Sequence, residues 1–143
     1  MVDPVLTPAE IVGSYLASFD SREPERIAAH VSSDFRNRHT TALGGSGCDG
    51  RSAYLERLPG FLSSMVDLHY DAELIVADGP DVAAFYTMTG RWLGESPFSL
   101  RGVQRLRVED GEITERTDYW DSAGFLAQVD AAAASTLAGM GLA

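Results

Sequence analysis

The chain has 143 residues and a net charge of −10, with 21 carboxylates against eleven basic side chains, all of them arginine. The absence of lysine excludes Schiff-base catalysis, a phosphate-loop lysine and a lysine general base. The negative charge argues against nucleic-acid and membrane partners, and one cysteine (Cys48) with three scattered histidines gives neither an intrachain disulfide nor a metal-ligand spacing.

The length fits one compact domain that buries roughly two-thirds of its unfolded surface. Its opening residues, MVDPVLTPAE, lack a basic start and an apolar stretch, and no later run approaches membrane-spanning length, so a cytoplasmic protein is expected. Thr7-Pro8-Ala9-Glu10 combines a capping threonine, a proline at the first helical position and a glutamate three residues after the cap. A helix is predicted from there, with Ile11, Tyr15 and Phe19 on one face. A shorter helix follows Ser21 and buries Ile27, Ala28 and Val31, and Asp34 to Asn37 reads as a short extended piece.

Gly44 to Gly50 is too rich in glycine for a regular element and is predicted as a loop, with Asp49 capping the next helix. That third helix carries Tyr54, Leu55, Leu58, Phe61, Leu62 and Met65 at helical spacing, and Pro59 is expected to kink or split it. From Val66 the period changes to two, and Leu68, Tyr70, Ala72, Leu74 and Val76 share the apolar face of a strand. A turn at Asp78-Gly79-Pro80-Asp81 leads to strands at Val82–Trp92, Phe98–Glu109 and Glu112–Asp121, with Asp110-Gly111 as a two-residue hairpin turn. Ser122 onward predicts a short helix containing Phe125, Leu126 and Val129.

These elements make an α+β domain over residues 1–130, followed by an alanine-rich tail at 131–143 that is weakly helical or disordered. Its expected form is a cone-shaped, curved antiparallel sheet of four meandering strands, with the N-terminal helices covering the concave face around a pocket.

The segments Phe61 to His69, Val76 to Ala83 and Val108 to Asp121 carry a resemblance to the SnoaL-like polyketide cyclase branch of the nuclear-transport-factor-2-like superfamily, relatives of limonene epoxide hydrolase and ketosteroid isomerase. The resemblance spans roughly residues 8 to 129 and implies a cystatin-like α+β cone. It implies that Asp118, first aspartate of the closing Asp-x-x-Asp strand, points into the pocket as acid or base. The cyclase pattern also sets a histidine fourteen residues earlier, where this chain has Gln104, an amide that cannot shuttle a proton. The Tyr-x-Asn pair of the epoxide hydrolase falls on Phe35-Arg36-Asn37, and its Arg-x-Asp on Phe85-Tyr86-Thr87, so that triad is broken. The isomerase base would sit near Asn37, or His39 beside it.

Strand alternation puts Asp118 on one face with Arg116 and Trp120, and desolvation there would raise its pKa toward neutrality. An ion pair with Arg116 or Arg101 would instead make Asp118 structural and lower that pKa. Asn37 and His39 point the same way if their segment is extended, one to bind an oxygen and the other to titrate; a turn asparagine and a surface histidine are the alternative. The unbulged hairpin register sets Val103 opposite Asp118 with Arg101 and Arg105 flanking, whereas a single bulge brings in Gly102 and Gln104. His30 and His69 fall at surface or rim positions. Tyr15, Phe19, Tyr54, Phe61, Trp92, Trp120 and Phe125 could line a pocket or form ordinary core.

The site expected from this pattern has Asp118 as the catalytic group, with Asn37, His39, Arg101, Gln104, Arg116, Trp120, Phe35 and Phe125 as substrate contacts and neither metal nor cofactor. It would perform acid–base chemistry of cyclase, isomerase or hydrolase type on a hydrophobic oxygenated molecule such as a polyketide, steroid-like or terpenoid compound. A non-catalytic binding or assembly module with a degenerate site is the alternative. The half-apolar outer sheet face, together with the resemblance, predicts a homodimer.

Overall fold

Helix α1 (Pro8–Ser18) begins where its local chemistry dictates. Thr7 Oγ1 accepts a hydrogen bond from the Glu10 amide at 3.2 Å, and Glu10 Oε1 accepts from the Thr7 amide at 3.0 Å. The computed structural model describes residues 5–41 and 44–142. After a short 3₁₀ turn at Phe19–Ser21, α2 (Pro24–Ala28) is only five residues long. Val31 is fully buried, but it opens strand β1 (Val31–Thr41) and does not extend the helical stripe. The extended piece expected at Asp34 to Asn37 is the middle of that eleven-residue strand.

The glycine-rich segment is a strand and not a loop: β2 (Gly44–Asp49) pairs antiparallel with β1 at the sheet edge. A Cβ at Gly47 would lie 2.0 Å from the Asn37 carbonyl oxygen, so close backbone approach requires the glycine. Asp49 does not cap the following helix either. Gly50 holds the N-cap position with φ 92°, and the Asp49 carboxylate pairs with Arg38 at 2.8 Å.

Helix α3 (Arg51–Ser64) continues through Pro59 as one element, and Met65 leaves it to start β3 (Met65–Asp78). Leu68 and Tyr70 are buried as their spacing predicts, but Leu74 and Val76 are 55% and 50% exposed. An irregularity between Ala72 and Leu74 shifts the register by one residue and exchanges the faces beyond it. Ile75, not Leu74, then packs inward, 3.6 Å from where a Cβ on Gly13 of α1 would lie.

Strands β4 (Asp81–Trp92), β5 (Ser96–Glu109) and β6 (Glu112–Trp120) complete the meander. Asp110 and Gly111 both adopt positive φ, as a two-residue hairpin turn of this hand requires. The sheet has six strands, not the four expected, in the order β2-β1-β6-β5-β4-β3, and β1 runs parallel to β6. It is curved and unclosed, with α1 and α3 against its concave face. Asp121 caps α4 (Ser122–Val129), which puts Phe125 against Trp92, Phe98 and Trp120. The alanine-rich tail forms α5 (Ala131–Gly139), which has no buried residue. No helix among the described residues is long and apolar enough to cross a membrane.

Candidate functional site

Curvature of the sheet under α3 leaves a cavity of about 310 Å³, at the small end of the roughly 300–1,000 Å³ range of ligand sites. Its dry wall comes from Phe19, Leu58, Phe61, Met65 and Met88. Tyr54, Tyr70, Tyr86 and Trp120 contribute amphipathic rings, and Asn37, His39, Thr41, Ser46 and Arg57 lie at its polar side.

Arg116 organises the buried polar group beneath this cavity. It is 3% exposed and uses all three guanidinium nitrogens. Nε donates to Gln104 Oε1 at 2.9 Å, Nη1 to Asn37 Oδ1 at 2.9 Å and Nη2 to Asp118 Oδ2 at 3.3 Å. The Tyr15 ring lies 5.8 Å below its central carbon. Asp118, 5% exposed, receives a second bond at Oδ1 from Tyr86 Oη at 2.6 Å. A buried charge is tolerated only when paired and hydrogen-bonded, and here both members of the pair are.

Burial raises the pKa of Asp118 above the usual carboxylate range, while Arg116 and the Tyr86 hydroxyl pull the other way. Desolvation also raises Tyr86, with the Asp118 charge adding to it, so its phenol stays protonated and donates. His39 sits opposite Asp118 in the parallel β1–β6 register, with Nδ1 3.9 Å from Asp118 Oδ2. That distance would suit an ion pair, but the imidazole is neutral. Burial, then Arg116 and Arg57, lower its pKa to about 4.

The ring's tautomer follows from its neighbours. Asn37 gives its oxygen to Arg116, so its amide nitrogen is the atom 3.3 Å from His39 Nε2. That nitrogen can only donate, so Nε2 accepts and the histidine proton resides on Nδ1, facing Asp118.

Of the residues singled out in the sequence, Asp118, Asn37, His39, Arg116 and Trp120 line the cavity together. Gln104 is fully buried opposite Asp118, in the bulged register, but not among the cavity-lining residues. Its Nε2 has no hydrogen-bond partner among the described residues. Arg101 is exposed and off the cavity. Phe35 is core against Tyr54, with ring centroids 5.0 Å apart, and Phe125 is core under Trp120; neither lines the cavity.

The sequence reading did not assign Tyr86, Tyr70 or Arg57 to the site, and it named Gly102 only as a neighbour of Asp118 in the bulged register. Tyr86 lies between Phe85 and Thr87, the two positions where the Arg-x-Asp pair was sought, and its signal was inward strand parity alone. A Cβ on Gly102 would lie 2.4 Å from Tyr86 Oη, so this glycine makes room for the hydroxyl that reaches Asp118. No group of three or more His, Cys, Asp or Glu among the described residues is arranged to hold a metal.

Fold and site together define a small α+β domain in which helices close a curved sheet over a pocket with a buried carboxylate. Residues 9–129 match the family model described as SnoaL-like polyketide cyclase, and the chain belongs to that family. Solved structures agree on the fold. A Catenulispora acidiphila protein with a ketosteroid isomerase-like fold, in complex with trimethylamine, is 23% identical with TM-score 0.76, over 86% of this chain and 93% of its own. TerC, co-crystallized with polyporic acid, is 22% identical with TM-score 0.74, over 87% and 99%. An NTF2-like protein from Burkholderia thailandensis is 15% identical with TM-score 0.71, over 87% and 98%. No functionally curated protein matches the chain.

Proposed function

We propose that this protein is a small acid–base enzyme for a hydrophobic, oxygenated small molecule of polyketide, steroid-like or terpenoid type, with Asp118 as the group that moves the proton. The observation that carries this reading is a buried, cavity-facing carboxylate whose pKa is raised by desolvation while a tyrosine and an arginine fix its orientation. The ionised Asp118 removes a proton from carbon next to a substrate carbonyl, and the electron pair moves onto the carbonyl oxygen. The Nδ1–H of neutral His39 is a donor available to that oxygen, whereas both ends of the Asn37 amide are engaged. After ring closure or double-bond migration, Asp118 returns the proton to the new oxygen or carbon centre. No cofactor enters this scheme.

Asp118→Asn keeps the side chain's shape and is expected to remain folded at reduced stability, because Arg116 loses its counter-ion, and to lose about 10²- to 10⁴-fold in turnover. A variant that retains full activity overturns the assignment.

A second reading, a binding or assembly module without turnover, is favoured by Gln104 at the position where the cyclase pattern has histidine. A thermal-shift screen with planar polyketides and sterols separates the two: tight binding with no product supports the module. In either reading we place a second copy of the chain against the outer sheet face, where Leu74, Phe85 and Tyr119 are exposed.

A further inference from the structure

Arg57 has no part in the acid–base scheme, yet it lines the same cavity. It projects from α3 on the same face as Tyr54, Leu58 and Phe61, at the three- and four-residue spacings that share a helix face. Of the two arginines lining the cavity, Arg116 is fully engaged by Asn37, Gln104 and Asp118. Arg57 has no hydrogen-bond or ion-pair partner among the described residues.

Asp118 is the sole carboxylate among the described lining residues, so with it ionised the cavity carries one net positive charge inside a protein of net charge −10. The field of Arg57 reaches into the site, where it helps to keep His39 neutral. The two groups also differ in exposure: Arg57 is exposed, and Asp118 is buried.

We propose that the cavity's ligand is an organic anion, an apolar ring system packed against Phe19, Phe61, Met65 and Met88 with an ionised oxygen group reaching Arg57. The guanidinium fork matches a carboxylate through two parallel N–H···O bonds and an ionised phenol or enol through one. With Arg116 paired to Asp118, Arg57 is the uncompensated charge of the cavity, so the ionised group is held there and the apolar body is left to face the carboxylate. The inference rests on the cavity being the small-molecule site, and it narrows the substrate class from oxygenated to anionic.

Calorimetric titration of the full chain with 2-naphthoic acid and with its neutral counterpart 2-naphthamide tests it, since the two match in shape and differ in charge. The acid is expected to bind about tenfold more tightly, a preference that shrinks with added salt. Arg57→Gln, at a side chain that is itself exposed, is expected to erase the preference while keeping the amide affinity within about twofold. Equal affinities in the parent chain, or a preference that survives Arg57→Gln, overturn the anion assignment and leave the small-molecule reading standing. If neither compound binds, the small-molecule reading falls and the inference falls with it.

Discussion

Each face of the sheet carries a local exception to the ordinary distribution of polarity. On the concave face, Arg116, Asp118, Asn37 and Gln104 are each 5% exposed or less. On the convex face, Leu74, Phe85 and Tyr119 are each more than 40% exposed, and register joins them through Val103 into one cross-strand row. Hydrophobic burial alone would have favoured the opposite arrangement. The inner charges are retained through mutual hydrogen bonding, and the outer row is the surface proposed above to meet a second copy of the chain. Residues that burial energetics disfavours where they stand are therefore the ones to which the proposed roles on both faces are assigned.

The inner face breaks most severely at its cation. Arg116→Met strips partners from Asp118, Asn37 and Gln104 together, and urea denaturation is expected to show a loss of about 3–5 kcal/mol. A loss under about 1 kcal/mol would mean that the network does not hold the inner face together. Gly102→Ala is expected to cost less, about 1–3 kcal/mol from overpacking. Its new methyl displaces the Tyr86 hydroxyl from Asp118, so the acidic limb of the activity–pH profile should move upward. An unmoved limb would remove Tyr86 from the control of Asp118.

A smaller effect is expected from acid. His39 is held neutral, with its folded-state value near 4 against an ordinary 6.5. Between those values the unfolded chain binds more protons than the folded one. Stability contributed by this site is thus present above about pH 6.5 and lost progressively as pH falls toward 4. His39→Gln should flatten that part of the melting-temperature profile; an unchanged slope assigns it to other groups. Asp118, raised rather than lowered, acts in the opposite sense: its contribution declines as pH rises from the ordinary carboxylate value through its own.

The outer face should respond least in folding and most in assembly. Phe85→Glu is expected to change monomer stability by about 0.5 kcal/mol or less while converting a dimer to a monomer in size-exclusion light scattering. A parent chain already monomeric there would leave the outer row without the partner assigned to it.

Local chemistry made much of the fold legible in the sequence. The Thr7–Glu10 capping box and the Asp110-Gly111 turn are complete within a few residues, and both stand where they were predicted. Contacts between strands remote in sequence hid the rest. Gly44 to Asp49 has three glycines among its six residues and no side-chain alternation to betray a strand. The register at Asp118 depends on an irregularity between Arg107 and Val108, which exchanged Val103 for Gln104 as its cross-strand neighbour. Asp118, Arg116 and Trp120 were readable as a set because they share one strand parity, whereas Tyr86 and Arg57 reach the cavity from elements whose placement only the folded sheet defines.

The parallel pairing of β1 with β6 sets the order in which the protein can become functional. Asn37 and Arg116 are bonded across 79 positions of sequence, and the strand that joins them is the last one made. During synthesis the chain must therefore carry an unpaired β1 edge until β6 arrives, and closing so long a loop is slow. The cavity is thus assembled at the end of folding, and a chain interrupted before Glu112 lacks Arg116, Asp118 and Trp120 from its lining.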